Sequence, residues 1–186
     1  MVSLGALWLP ILLSAVLVFI LSSVIHMVLG YHNRDYGQLS NEDAVRAAIR
    51  SGNPTPRQYI IPYAVDPKQM DSPEMKRKFA EGPVGVLFLK PPGPQGMGPT
   101  LVRWFVFVLV VSFFVAYIAS HALPASSDYL RVFQIVGAVA FLAYAAGELP
   151  AAIWMGKPWS VACKEAFDGL LYGLATAGVF GWLWPR

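Results

Sequence analysis

The chain has 186 residues, of which 56% are hydrophobic and 13% are charged, and its formal net charge is +3. Its mean hydropathy is +0.51. Soluble domains usually carry about a quarter charged residues, so this composition excludes an ordinary soluble globular protein. The small, dispersed charge excludes a nucleic-acid-binding surface. The single cysteine, Cys163, excludes an intrachain disulfide and a cysteine-based metal site.

Four apolar stretches are long enough to cross a bilayer, which takes about 20 residues of α-helix. The first has no basic residue before it, and its apolar core is longer than that of a secretory signal, so it is predicted to be a retained span. The predicted fold class is an all-α, multi-pass membrane protein built as a four-transmembrane-helix bundle. Its spans are predicted at residues 4–29, 101–121, 130–155 and 159–184.

The polar segment 30–100 is predicted to form a small α+β or irregular insertion between spans one and two. Cap and stop residues predict two short helices in it, and two apolar runs either pair as strands or lie in the membrane interface. Residues 91–99 are mostly Pro and Gly, which predicts a stiff linker without regular structure. The helices are predicted at 41–51 and 73–81, and the apolar runs lie at 59–63 and 84–89.

Basic residues predict the orientation of the chain. Most Lys and Arg residues lie in the insertion and in the turn between spans three and four, and Arg34, Arg103 and Lys157 stand directly beside spans. Cytoplasmic loops of membrane proteins carry the Lys and Arg excess. We therefore expect a cytoplasmic insertion, with both termini outside.

Charged side chains near the start of the last span form the candidate polar site. This span contains Lys164, Glu165 and Asp168, and helical rise places Asp168 about 5 Å from the bilayer midplane. Charge inside an apolar span is costly, so such residues are functional-site candidates. Because the turn at Lys157 makes spans three and four an antiparallel hairpin, Glu148 is expected to meet these three residues.

Two interpretations of this intramembrane polar cluster are open. In the first, Glu148 and Lys164 form a buried clamp that fixes the helix pair, and Glu165 extends to the interface. In the second, Glu148 and Asp168 bind a proton, a cation or a polar substrate group. A water-filled cleft reaching these residues would favour the second interpretation, and a dry, fully paired cluster would favour the first.

Small residues follow the charged cluster at four-residue spacing, which predicts close packing against another helix. Span two is rich in phenylalanine and offers a second packing surface. These surfaces predict a non-enzymatic accessory or scaffold subunit that packs against other membrane-protein subunits or against itself. A small transporter or channel-like protein is the alternative. The small residues are Gly169, Gly173, Ala177 and Gly181, and the phenylalanines are Phe105, Phe107, Phe113 and Phe114.

No catalytic residue, metal site or cofactor is predicted. His26 and His121 end spans at opposite membrane faces, about 30 Å apart, so they cannot share an ion. His26 and His32 are six residues apart and would lie on different faces if the helix continued. There is no paired-histidine metal motif and no phosphate-binding loop, and no G-x-S-x-G element of a serine hydrolase.

Several short motifs resemble those of small, uncharacterised four-span bacterial inner-membrane proteins. The resemblance covers most of the chain and implies a compartment and a topology, the bacterial plasma membrane with four spans, but no activity. The motifs are His26-Met27-Val28, His32, Asp35-Tyr36, Gly82-Pro83-Val84-Gly85, Lys164 to Gly169, and Gly181-Trp182-Leu183-Trp184-Pro185.

Overall fold

The structure is a computed structural model that describes residues 2–185. Its contacts divide the chain into two compact units. The helical unit comprises the residues up to Asp35, Gly96–Ile153 and the residues from Lys157 onward, whereas the insertion unit comprises Tyr36–Gln95 and Trp154–Gly156. The insertion predicted over 30–100 therefore begins and ends inside those limits, because the chain from residue 30 to Asp35 packs with the helices.

The first predicted span consists of a 3-10 turn and a long helix. The turn, Leu4–Leu7, is capped by Ser3, whose Oγ accepts a hydrogen bond from the Ala6 N–H at 3.3 Å. Helix α1 follows at Trp8–Met27. Pro10 lies in its first turn, where a missing N–H leaves no hydrogen bond unmade. The helix ends two residues before the predicted end of the span.

The insertion unit combines two short helices with a two-stranded sheet. Of the two alternatives for the apolar runs, the structure has strand pairing: the strands are antiparallel, with Gln58 opposite Phe88. Ser72 caps the second helix by accepting the Met75 N–H at 3.2 Å, with Pro73 in the first helical position. The elements are α2 at Glu42–Ser51, β1 at Gln58–Ile61, a 3-10 turn at Pro67–Asp71, α3 at Pro73–Glu81 and β2 at Gly85–Phe88.

Four more helices follow along the chain: α4 at Met97–Ala122, α5 at Tyr129–Ala145, α6 at Leu149–Met155 and α7 at Trp159–Leu183. Within residues 2–185, four helices are long and apolar enough to cross a membrane, counting Tyr129–Met155 as one, and this suggests a multi-pass membrane protein. Helix α4 begins at Met97, so the prediction that all of 91–99 lacks regular structure was wrong. Pro99 lies in the first turn of α4, where the helix tolerates it.

The helix predicted as a continuous third span over 130–155 is interrupted. A turn at residues 146–148 separates α5 from α6. The physical reason is Pro150, which has no N–H for the carbonyl of Ala146 and whose ring clashes with that carbonyl in a continuous helix. Gly147 lowers the cost of leaving helical geometry there.

Helix α7 packs closely on α5 through its small residues. A Cβ added at Gly169 would lie 2.9 Å from the backbone N of Ala145, and one at Gly173 would lie 3.1 Å from the backbone N of Phe141. Ala177 lies fully buried where Gly137 of α5 comes close. At Gly181 the nearest atoms belong to the Tyr129 ring. The small-residue face of α7 is therefore occupied within the chain.

Candidate functional site

The structure separates the four predicted polar residues into two groups. Lys164 and Asp168 belong to what we call the Asp168 network, which also contains Tyr31, His32 and Asp35. Glu148 and Glu165 belong to the Lys157 cluster, in which both carboxylates contact Lys157. All of these residues lie in the helical unit.

Asp168 is the buried centre of its network, with 2% of its surface exposed. The Tyr31 hydroxyl donates a hydrogen bond to its Oδ1. His32 Nε2 lies 2.8 Å from its Oδ2, and His32 Nδ1 lies 2.6 Å from Asp35 Oδ2. Both ring nitrogens thus face carboxylates, so either the imidazole is protonated or one of the two carboxyls carries a proton.

Lys164 attaches the loop after α1 to α7. Its Nζ donates to Asp35 Oδ1 at 2.5 Å and to the backbone carbonyl of Tyr31 at 2.9 Å. The hydrogen bond from Lys164, followed by that from His32, holds the pKa of Asp35 below its ordinary value. Asp35 is therefore a carboxylate at neutral pH, and its charge is balanced by Lys164.

The loop reaches Asp168 because the chain reverses direction directly after α1. The helix ends at Met27, and Gly30 adopts φ +64°, a left-handed conformation that suits glycine. His32 therefore returns to His26, and the centroids of the two rings are 4.6 Å apart, edge to face. The sequence placed these histidines on different faces only if the helix continued, and α1 ends between them.

Three potential metal ligands meet where the loop contacts α7. One ligand atom each of His26, His32 and Asp168 lies within 4.8 Å of the other two. Part of the expectation of no metal site rested on the separation of His26 from His32, and in the structure their rings are in contact. Sequence reasoning considered His32 as a metal ligand and rejected it, and it missed Tyr31 and Asp35 as members of the site. The available signal was Gly30 followed by aromatic, histidine and acidic residues directly after a span.

The Lys157 cluster lies at the turn between α6 and α7. Lys157 Nζ donates to Glu148 Oε2 at 2.7 Å and also forms an ion pair with Glu165. Burial disfavours the charge on Lys157, but hydrogen bonds to the two glutamates outweigh this effect and raise its pKa. The predicted clamp between Glu148 and Lys164 is not formed, because Lys157 is the cation within reach of Glu148 and Lys164 reaches the loop instead.

A cleft of about 760 Å³ in the helical unit connects the two groups. Glu148, Glu165 and Asp168 line it together with His26 and Arg103. The aromatic part of the lining includes Tyr144 and Tyr172, which are 8% and 4% exposed. Among residues 2–185, neither of these two hydroxyls has a hydrogen-bond partner. The cleft thus offers charged groups and hydroxyls in an otherwise apolar bundle.

The insertion unit contains a groove of about 820 Å³, somewhat larger than the cleft. Its lining is apolar and aromatic, including Met70, Phe79 and Trp154, and no acidic, basic or histidine side chain of the described residues lines it. We therefore place the candidate site in the cleft, where the ionisable groups are. The chain matches no family model, no curated protein and no solved structure.

Proposed function

We propose that this chain is an integral membrane protein that binds a proton, a cation or a cationic group of a polar solute in the cleft, and works as a small transporter or channel-like protein. One observation carries the proposal: the cleft reaches Asp168, a carboxylate that is 2% exposed on a helix apolar enough to cross a membrane. A buried charge at such a position is costly and marks solute or proton pathways.

The charges of the lining favour a cationic ligand. Three carboxylates line the cleft, at Glu148, Glu165 and Asp168, and Arg103 is the basic residue among the described lining residues besides His26. Lys157 pairs with the two glutamates from outside the lining. Asp168 has hydrogen-bond donors but no Lys or Arg partner among residues 2–185. A bound cation would supply the positive charge that no Lys or Arg provides to Asp168.

The interruption of the third span also supports a polar cleft. Gly147 and Glu148, in the turn between α5 and α6, line the cleft. Non-helical backbone at membrane depth is tolerated where it is buried in protein or lines a water-filled cavity. Broken helices also form the solute sites of many transporters, because their free carbonyls coordinate cations.

A second function, as an accessory or scaffold subunit, is favoured by the outer face of α4. Phe113 and Phe114 are 44% and 57% exposed and offer a packing surface to another subunit, whereas Phe107 lines the cleft. The small residues of α7 do not add to this surface, because α5 occupies them. Purification in mild detergent tests this function: a stable complex with another membrane protein supports it, whereas a chain that runs alone as a monomer contradicts it.

The proposal includes an orientation and a compartment. The excess of Lys and Arg in the insertion and at Lys157 supports an insertion on the cytoplasmic side of a bacterial plasma membrane. Thiol labelling of a single-cysteine variant in intact cells tests this orientation. The variant combines Cys163→Ser with Ser51→Cys, which places the one thiol at the end of α2. Labelling of this thiol by an impermeant reagent in intact cells would contradict a cytoplasmic insertion.

Flux measurements in vesicles test the transport function. The purified chain is reconstituted into liposomes, and uptake of protons and of Na⁺ is followed after a membrane potential is applied. We expect uptake faster than in protein-free vesicles, and we expect Asp168→Asn and Glu148→Gln each to reduce it. Glu42→Gln, a carboxylate change in the insertion, is the matched control and should leave uptake unchanged. Uptake of neither ion by the wild type above the protein-free rate would contradict the transport function.

A further inference from the structure

We propose that His26, His32 and Asp168 bind a divalent transition-metal ion, of the zinc or ferrous iron class, where the loop after α1 meets α7. This inference rests on the proposed function, because the metal ion would lie at the same cleft. His26 and Asp168 both line the cleft, so an ion held by the three residues would be accessible from it.

The donor set selects the class of metal. Two imidazoles and one carboxylate suit zinc and non-haem iron, whereas calcium and magnesium prefer sites made of oxygen ligands. The three ligand atoms lie within 4.8 Å of one another. Ligands with metal bonds of about 2.0–2.2 Å can be at most about 4 Å apart. His32 Nε2 and Asp168 Oδ2 are 2.8 Å apart, so His26, which is exposed, is the ligand that would have to approach the other two.

The surroundings of His32 are those of a metal-binding histidine. Its Nδ1 is 2.6 Å from Asp35 Oδ2, and its Nε2 points to Asp168. Metal-binding histidines almost always donate the second ring N–H to a carboxylate or carbonyl, which fixes the tautomer and the ring orientation. Lys164 in turn fixes Asp35 at 2.5 Å. The metal would take the place of the contact between His32 Nε2 and Asp168 Oδ2.

A purely structural hydrogen-bond network would account for His32 but not for His26. Among residues 2–185, no hydrogen bond is made by the His26 side chain, and its ring contacts that of His32 edge to face. As a metal ligand, His26 would use one of its two ring nitrogens, neither of which has a hydrogen-bond partner in the described chain. Three protein ligands leave at least one coordination position open, as in metal sites that bind a substrate or water.

Cobalt(II) binding to the purified full-length chain tests the inference. The protein in detergent is stripped with a chelator and titrated with Co²⁺, and the visible ligand-field absorption is recorded. We expect one ion per chain, displaced by Zn²⁺. His26→Gln, His32→Gln and Asp168→Asn should each weaken binding by about tenfold or more, and Asp35→Asn by about tenfold to hundredfold. His121→Gln is the matched control and should leave binding unchanged, because its ring contacts Tyr117 within its own helix.

The outcomes separate this inference from the proposed function. Absence of stoichiometric Co²⁺ binding, or unchanged binding in His26→Gln, would overturn the metal site. His26→Gln is decisive even if Asp168→Asn fails to fold, since His26 is exposed and makes no hydrogen bond in the described chain. Proton or Na⁺ flux that persists in the chelator-stripped protein without Co²⁺ binding would leave transport standing and reject the metal. Co²⁺ binding by a chain without proton or Na⁺ flux would support the metal site and reject the transport function.

Discussion

The two halves of α7 are held by different kinds of contact. From Gly169 onward, the helix approaches the backbone of α5 so closely that an added Cβ would collide with Ala145. Before Gly169, the helix is held by ionic and hydrogen-bonding side chains, and Lys164 reaches a partner 129 residues away in Asp35. Packing of small residues can therefore position one half of a helix, while the other half depends on a loop from the opposite end of the chain.

Removal of the Lys164 charge should be the most damaging change, because it affects the half that relies on polar partners. Lys164→Met would leave the Asp35 carboxylate, whose side chain is 6% exposed, without its cation. We expect the free energy of unfolding in detergent to fall by more than in any of the variants below, because the carboxylate would be left without its Lys partner. The double variant Lys164→Met, Asp35→Asn should recover a large part of this loss. Additive losses in the double variant would show that the ion pair is not what holds this half.

A methyl group at Gly169 should be the next most damaging change, and it affects the packing half. In Gly169→Ala, the new Cβ would meet backbone atoms of α5 at 2.9 Å, and the helices would have to separate. We expect a loss of about 1–3 kcal/mol in the free energy of unfolding. Gly178→Ala on the same helix is the control, since a Cβ there meets nothing within 4 Å. Equal losses in the two variants would contradict the role of close packing.

Loss of the Lys157 charge should reduce the free energy of unfolding less than loss of the Lys164 charge, although both residues contact the polar half of α7. Its side chain is 24% exposed, and Glu148 and Glu165 are 37% and 29% exposed, so water screens part of their interaction. We expect Lys157→Met to reduce the free energy of unfolding by about 1–2 kcal/mol. Lys157→Arg, which retains the charge, should lose less. A loss as large as that of Lys164→Met would remove the distinction between the two groups.

The smallest effect should be a dependence of stability on alkaline pH. The hydrogen bonds of Lys157 to two glutamates raise its pKa above the ordinary 10.5. Its contribution to stability is then complete below pH 10.5 and is lost as the pH rises through the higher pKa of the folded state. We expect the stability difference between the wild type and Lys157→Met to shrink above that pH. A difference that grows would contradict the assigned sign.

Composition and local spacing were sufficient for the helices, but not for the polar partners. Apolar runs predicted four helices long enough to cross a membrane, and four-residue spacing predicted that Gly169 and Gly173 would face a helix. The partner of Lys164 could not be predicted in this way, because it depends on where α1 ends and on the turn at Gly30. Two Lys side chains lie near the same hairpin, and only the folded loop decides which of them meets Glu148.

The interruption of the third span was present in the sequence as Gly147 and Pro150. The high hydropathy of 130–155 as a whole did not reveal the interruption, because mean hydropathy does not register that Pro150 has no N–H. The same applies to His26 and His32. Their separation of six residues suggests opposite helix faces only where the helix continues, and α1 ends between them.

The turn between α5 and α6 also has a consequence for how the third span would cross the bilayer. Helix α5 has 17 residues, which gives a length of about 26 Å, whereas a typical hydrocarbon core is about 30 Å thick. In the proposed membrane protein, α6 therefore completes the third span, and the turn at residues 146–148 lies at the depth of the lipid, where Gly147 and Glu148 line the cleft.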